Sequence, residues 1–130
     1  MQHWLFKTEP SAYSIDNLAR DKQTRWDGVS NAMARIHLRK VRKGDRIFIY
    51  HTGQEKSVVG IMKALADAEL DDKDVTVQVA YIKKFTSPVS LATIREMPEF
   101  AQWDLVRNSR LSVMPVSPEI WRLIEQLADN

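Results

Sequence analysis

The sequence predicts an α+β domain: a strongly curved sheet of about five to six mostly antiparallel strands, with short flanking helices, closing into a small β-barrel. Three observations predict it. Short apolar runs with strand character are interleaved with short stretches that open on good helix caps. Two longer runs, Val58 to Glu69 and Val75 to Phe85, flank the turn-rich Asp71-Asp72-Lys73-Asp74 and read as an antiparallel hairpin. The 130 residues contain no low-complexity stretch, Gly/Ser linker or repeat, so residues 1–130 are expected to fold as one domain around one core.

Taken in order, His3 to Lys7 is short, aromatic-rich and stopped by Pro10, as a strand would be. Ser14 then caps a short helix with Ile15 and Leu18 on one face and Asp16 at its positive end. A polar loop leads to Trp26-Asp27-Gly28-Val29. Asn31 is a good N-cap for a helix over about Ala32 to Lys40, with Met33, Ile36 and Val41 at core spacing. Arg46 to Thr52 reads RIFIYHT, a strand buried on both faces whose polar end, Tyr50-His51-Thr52, breaks the pattern. In the hairpin Val75, Val77, Val79 and Tyr81 fall on one face at period two. Ser90 opens a helical stretch with Leu91, Ile94 and Met97 that Pro98 interrupts. Leu111 to Pro115 is a fifth strand. Ser117 and Pro118 start a last helix with Ile120, Ile124 and Leu127 on one stripe.

Hydrophobic residues at 44% and charged residues at 28% are ordinary for a globular chain and exclude disorder as a general state. No apolar run approaches the roughly 20 residues of a membrane span, and MQHWLFKTEP lacks a basic n-region and an apolar core. The expected setting is therefore the cytoplasm, or the nucleus in a eukaryote, with no membrane partner, and a monomer is expected. With no cysteine and only His3, His37 and His51, scattered along the chain, neither a metal site nor a cofactor is assigned. The formal charge of +2 is mild, but Arg35, Arg39, Lys40, Arg42, Lys43 and Arg46 surround a single acid, Asp45. Asp67, Glu69, Asp71, Asp72 and Asp74 gather at the hairpin tip. Such segregation suits a nucleic-acid partner on one side, or simply a solvated face.

Four polar groupings can carry chemistry. Trp26, in a loop with Gly28, can offer a flat face to a base, with Ser30 or Asn31 reading its edge; the same ring can instead plug the barrel end. Tyr50 and His51 are adjacent on a strand, so only one of them can face a given pocket while the other supports it. Lys7, Thr8 and Glu9 can hold a ligand or tie two strands together. Arg107, Ser109, Arg110 and Ser112 suit phosphate contacts or a solvated turn. Asp27, Ser30 and His51 are the residue types of a hydrolase triad, but no G-x-S-x-G elbow accompanies them, and no Gly-rich phosphate loop is present. No catalytic residue is assigned.

Trp4-Leu5-Phe6-Lys7-Thr8-Glu9-Pro10-Ser11 with Tyr13-Ser14, then Trp26-Asp27-Gly28-Val29 and Asn31, Gly44-Asp45, Tyr50-His51, Gly60-Ile61 and Ser109-Arg110-Leu111-Ser112-Val113 together resemble the EVE domain family, in its order and over nearly the whole chain. The resemblance implies a PUA-like barrel related to YTH, ASCH and PUA domains, and a role in binding modified bases of DNA or RNA. It implies a pocket walled by Trp26, with Asn31 or Ser30 as edge readers and Tyr50 or His51 with Leu111 as further contributors. Lys7, Glu9 and Ser109 to Ser112 would surround the mouth; apart from the resemblance, the basic segment and the fourth polar grouping make Arg35, Arg39, Arg107 and Arg110 the residues expected at the mouth or on the nucleic-acid backbone. Ser30 stands where the family pattern has an arginine, and the hairpin tip, Glu69-Leu70-Asp71, lacks a tyrosine.

The function expected from these residues is a non-catalytic, aromatic-cage reader of a modified base. Two rivals differ in class: a small enzyme using His51 or Glu9 as general base, and a protein-interaction module that recruits its partner through the acidic hairpin tip.

Overall fold

A computed structural model describes residues 1–71 and 73–129. Seven strands and five helices follow one another as β1 (His3–Thr8), α1 (Ile15–Asp21), β2 (Gln23–Trp26), α2 (Ala32–Leu38), β3 (Arg46–His51), β4 (Ser57–Ala64), β5 (Glu69–Asp71), β6 (Asp74–Ser90), α3 (Leu91–Glu96), α4 (Asp104–Arg107), β7 (Val113–Pro115) and α5 (Pro118–Ala128), with a 3₁₀ turn at Pro98–Phe100. The helix starts follow the caps in the sequence. Ser14 accepts from the backbone N–H of Asn17 while Asn17 answers the Ser14 N–H, and Asn31, Ser90 and Ser117 cap α2, α3 and α5.

The sheet runs in the order β2-β6-β4-β3-β1-β7, with β5 added to β6. All pairings are antiparallel except β1 with β3, which run side by side from His3 opposite Arg46 to Thr8 opposite His51. β6 is the spine: its 17 residues pair in turn with β5, β2 and β4. Register shifts in the β3–β4 and β4–β6 ladders bend the strands, as bulges do. Gly60 lies at one of them. A Cβ there would stand 2.1 Å from Ile15 Cδ1 and 2.4 Å from the Lys83 carbonyl, so α1 and β6 close on this strand as only glycine allows.

The curl does not become a closed barrel. β2 and β7 end the strand order and do not pair with each other, and α2 packs against both β7 and β6. The closure expected from the sequence is replaced by a seam covered by a helix. The core inside the curl includes Leu5, Phe6, Ile47, Phe48, Ile49, Met62, Val79 and Ile94, and α5 lays Trp121 flat on Phe48 at 3.7 Å between ring centroids. β3 is buried on both faces from Ile47 to His51, as its apolar run predicts.

Other elements differ from the sequence reading. The polar stretch before Trp26 is a strand, β2, paired with β6, so Trp26 ends a strand rather than sitting in a loop. Helix α2 stops at Leu38 and buries Ala34 and Leu38, whereas Met33 and Ile36 are 49% and 45% exposed. The hairpin breaks after Ala64, and its second arm continues to Ser90. Asp71 and Asp72 of its acidic tip fall where the side chain, or for Asp72 the whole residue, lies outside the described part. Among the described residues no helix is long and apolar enough to cross a membrane.

Candidate functional site

A cavity of about 720 Å³ opens between the two ends of the sheet, within the size range of ligand sites. Lys7 and Thr8 reach it from the end of β1, Ala12 and Tyr13 from the loop before α1, Thr24 to Trp26 from β2, Asp27 to Asn31 from the β2–α2 loop, and Arg110 and Ser112 from the approach to β7. Strand β2 at one end of the sheet order and the segment leading into β7 at the other thus contribute, and the site sits where the sheet fails to close.

Trp26 is 8% exposed. Its ring packs on Phe6 at 5.6 Å and meets Tyr13 edge-on at 6.4 Å. Plugging the curl and walling the cavity, alternatives in the sequence, are both met by one side chain. Tyr13 is anchored at both ends: its hydroxyl donates to Asp21 Oδ2 at 2.9 Å, and its carbonyl accepts from Thr8 Oγ1 at 2.8 Å. Burial, followed by the Asp21 hydrogen bond, raises the phenol above its ordinary pKa, so it remains a neutral aromatic wall. Tyr13 belongs to the cavity but was absent from the predicted site residues; the signal available was its place beside Pro10 and Ser14 in the first motif.

The β2–α2 loop turns at Gly28, whose φ of +72° only glycine adopts readily. This brings Asp27, Ser30 and Asn31 to one rim. Asn31 Oδ1 accepts from the Ala34 N–H at 2.9 Å, so the residue expected to read an edge also caps α2. Cations come from Lys7, Arg25 and Arg110. Half-buried Lys7 donates through Nζ to the Ser109 carbonyl at 3.0 Å and sits over the Tyr50 ring at 5.7 Å; burial lowers its pKa.

Of the predicted pocket residues, Trp26, Ser30 and Asn31 line this cavity, and Tyr50, His51 and Leu111 do not. Tyr50 lines a smaller hollow of about 170 Å³ with Thr52, Gly53, Lys56, Leu91, Leu105 and Ser109, and Lys7 is the wall between the two hollows. His51 is 5% exposed behind it. Its Nε2 accepts from the Ile15 N–H at 3.0 Å, which puts the ring proton on Nδ1, facing Glu55 Oε1 at 2.7 Å. With both nitrogens taken and Asp27 and Ser30 on another wall, the triad types do not assemble. Leu111 is in the core.

Around the mouth, Arg110 and Ser112 reach the main cavity, whereas Arg107 bonds Gln102 Oε1 at 2.6 Å and Glu9 accepts from Ser11 and Thr52, tying the ends of β1 and β3. Arg35 donates to the Lys73 carbonyl, and Arg39 is exposed away from the cavity lining. The charge segregation is partly cancelled: Asp67 binds the Arg42 guanidinium at 3.2 Å and the Lys43 N–H at 2.9 Å. Asp45 is a buried staple, accepting from the Gln2 N–H, the Trp4 indole and the Arg42 N–H. Among the described residues no three His, Cys, Asp or Glu side chains gather as metal ligands.

The EVE domain profile matches residues 2–127. The chain belongs to the EVE domain family. Mouse thymocyte nuclear protein 1 is 38% identical to this EVE domain over 167 aligned positions, 98% of this chain and 74% of that protein. The human protein of that name matches at 40% over 53% of this chain and 36% of its own length, so the domain spans only part of these relatives. A Rhodopseudomonas palustris protein solved by NMR superposes with a TM-score of 0.92 at 36% identity, covering 98% of this chain and 93% of that one. The crystal structure of human THYN1 protein in complex with 5-methylcytosine containing DNA shares the fold at a TM-score of 0.92 and 24% identity, covering 100% and 99% of the two chains.

Proposed function

We propose that this EVE domain is a non-catalytic reader that captures one modified base of DNA in the cavity at the sheet seam and acts as a monomer. The observation that carries the reading is the make-up of that cavity: a Tyr13–Trp26 aromatic corner beneath a rim bearing Lys7, Arg25 and Arg110. Aromatic surface holds a base, at about 1–3 kcal/mol per stacked ring, and cations hold its phosphates. Extruding a base from a duplex costs a few kcal/mol, so affinity for a lone domain is modest and depends on both contributions. The human THYN1 complex with methylated DNA supports DNA as the carrier, with RNA as the comparison.

The test is binding of oligonucleotides that differ by one modified base, at two salt concentrations, with wild type, Trp26→Phe and Arg110→Ala. Trp26→Phe keeps an aromatic ring against Phe6, which makes it a better probe than a truncation that opens the core. The expected result is a preference for the modified oligonucleotide that shrinks in Trp26→Phe. In Arg110→Ala binding weakens for every sequence, and the dependence of log affinity on log salt becomes shallower by about one. Equal affinity of the wild type for modified and unmodified oligonucleotides would defeat the proposal.

A further inference from the structure

We propose that the outward face of α2 is a wedge for duplex DNA, on which Met33 and Ile36 fill the gap that a captured base leaves in the stack; this rests on the base-reading function above. Four large apolar side chains are exposed among the described residues, and two of them stand on this one face. The others are apart from it: Met1 precedes β1 and Leu70 lies in β5. Met33 and Ile36 are three positions apart on one helix, which makes them surface neighbours, about 5–6 Å between Cβ atoms.

The fold holds α2 by its other sides. Ala34 and Leu38 are its buried residues, Arg35 donates to the Lys73 carbonyl on one flank, and His37 meets Trp4 at 6.4 Å between ring centroids on the other. At 3.6 residues per turn the side left outward carries Met33 and Ile36, and exposed Arg39 and Lys40 follow at its end.

Position and charge select the occupant. Asn31, the cap of α2, lines the cavity, and at about 1.5 Å per residue Ile36 stands roughly 7–8 Å farther along the axis. That is about two base steps of 3.4 Å, so the emptied position in a duplex whose nucleotide enters the cavity lies within reach of the stripe. Lys7, Arg25 and Arg110 line the cavity on one side of the apolar pair, and Arg39 and Lys40 flank it on the other. An apolar pair between two sets of cations complements stacked bases edged by phosphates, and methionine and isoleucine are among the side chains that proteins insert between base steps. A second copy docked through the same face would set cation against cation.

Such a wedge changes the balance of capture. An extruded base gives up its stacking and pairing, and its return to the duplex competes with the cavity for the same nucleotide. Side chains in the emptied space bury apolar surface and oppose that return, so they stabilise the complex only where there is a stack to open.

The test compares one modified base in a duplex and in the same strand without its complement, using wild type, Met33→Ala/Ile36→Ala and Met33→Leu/Ile36→Leu. Alanine and leucine both favour helix and the two positions are exposed, so both variants should keep the wild-type thermal midpoint. The double alanine variant is expected to bind the duplex roughly tenfold more weakly, as suits the loss of partial burial at two apolar side chains, and to bind the single strand as wild type does. The double leucine variant, still apolar, should retain most of the duplex affinity. Unchanged duplex affinity in the alanine variant, an equal loss on duplex and single strand, or a wild-type dimer that the alanine substitutions dissociate in sedimentation overturns the inference and leaves base reading intact. Failure of wild type to distinguish modified from unmodified DNA in either form defeats base reading, and the inference with it.

Discussion

Most of the Trp26 ring is taken up by the protein itself, and only its remaining surface opens on the cavity. The segment from Trp26 to Asn31 is continuous in sequence, so its residues meet whatever the rest of the chain does, and this part of the site was legible from the sequence. Tyr50 and His51 were not. Strand alternation says that two neighbours point to opposite faces, but which face meets which hollow depends on β1 and α1, contributed by distant residues. His51 proves to be the partner of the Ile15 N–H at the start of α1. His51→Ala is expected to lower unfolding free energy by about 1–3 kcal/mol, because it strands a buried N–H. His51→Gln, which can still present an acceptor, should recover part of that loss. Urea denaturation measures both, and oligonucleotide affinity of the folded His51→Gln protein should match wild type; a selective loss of binding would return His51 to the pocket.

Helix α2 shows what periodicity conveys at the scale of an element and what it omits. Asn31 marked its start correctly, since a cap acts on a backbone N–H only three residues away. Its inward face was misjudged, because Met33 and Ile36 are larger and more apolar than Ala34, yet α2 packs against β7 and β6 with Ala34 and Leu38 as its buried residues. Close approach selects a small residue, and a reading based on apolar size overlooks it. Leu38→Ala should therefore cost about 2–5 kcal/mol, the usual range for emptying a buried site. Ile36→Ala should cost well under half as much, and comparable losses in urea titrations would contradict the observed face. β2 was hidden for a related reason: Gln23-Thr24-Arg25 has little apolar signal, and pairing with β6 is what makes it a strand.

For the whole molecule, the curl brings the two ends of the sheet close without pairing them, and the opening that remains is the cavity. The same packing brings two histidines under aromatic cover: His3 lies 4.5 Å from Trp121 and His37 lies 6.4 Å from Trp4, measured between ring centroids. Burial is the largest cause that lowers both below their ordinary value of 6.5. With depressed folded values, the unfolded chain binds more protons just below pH 6.5, so stability is complete above that pH and falls as pH drops through the folded values. Urea midpoints at pH 7.5, 6.5 and 5.5 should decline in that order, and the His3→Gln/His37→Gln pair should flatten the decline. An equally steep decline in the double variant would assign it to other groups.

What the sequence determined by itself was local: the caps Ser14, Asn31, Ser90 and Ser117, the doubly buried run of β3, the α+β class, and the stretch Trp26 to Asn31 with a motif order that resembles EVE domains. These depend on contacts within a few residues or on a pattern repeated along one segment. Tertiary structure alone decided that the sheet stops short of closing, that Tyr13 joins Trp26 while Tyr50 faces a second hollow, and that Lys7 divides the two. Each of these follows from where strands distant in sequence settle against one another, and that depends on packing across the curl rather than on the order of residues within any one strand.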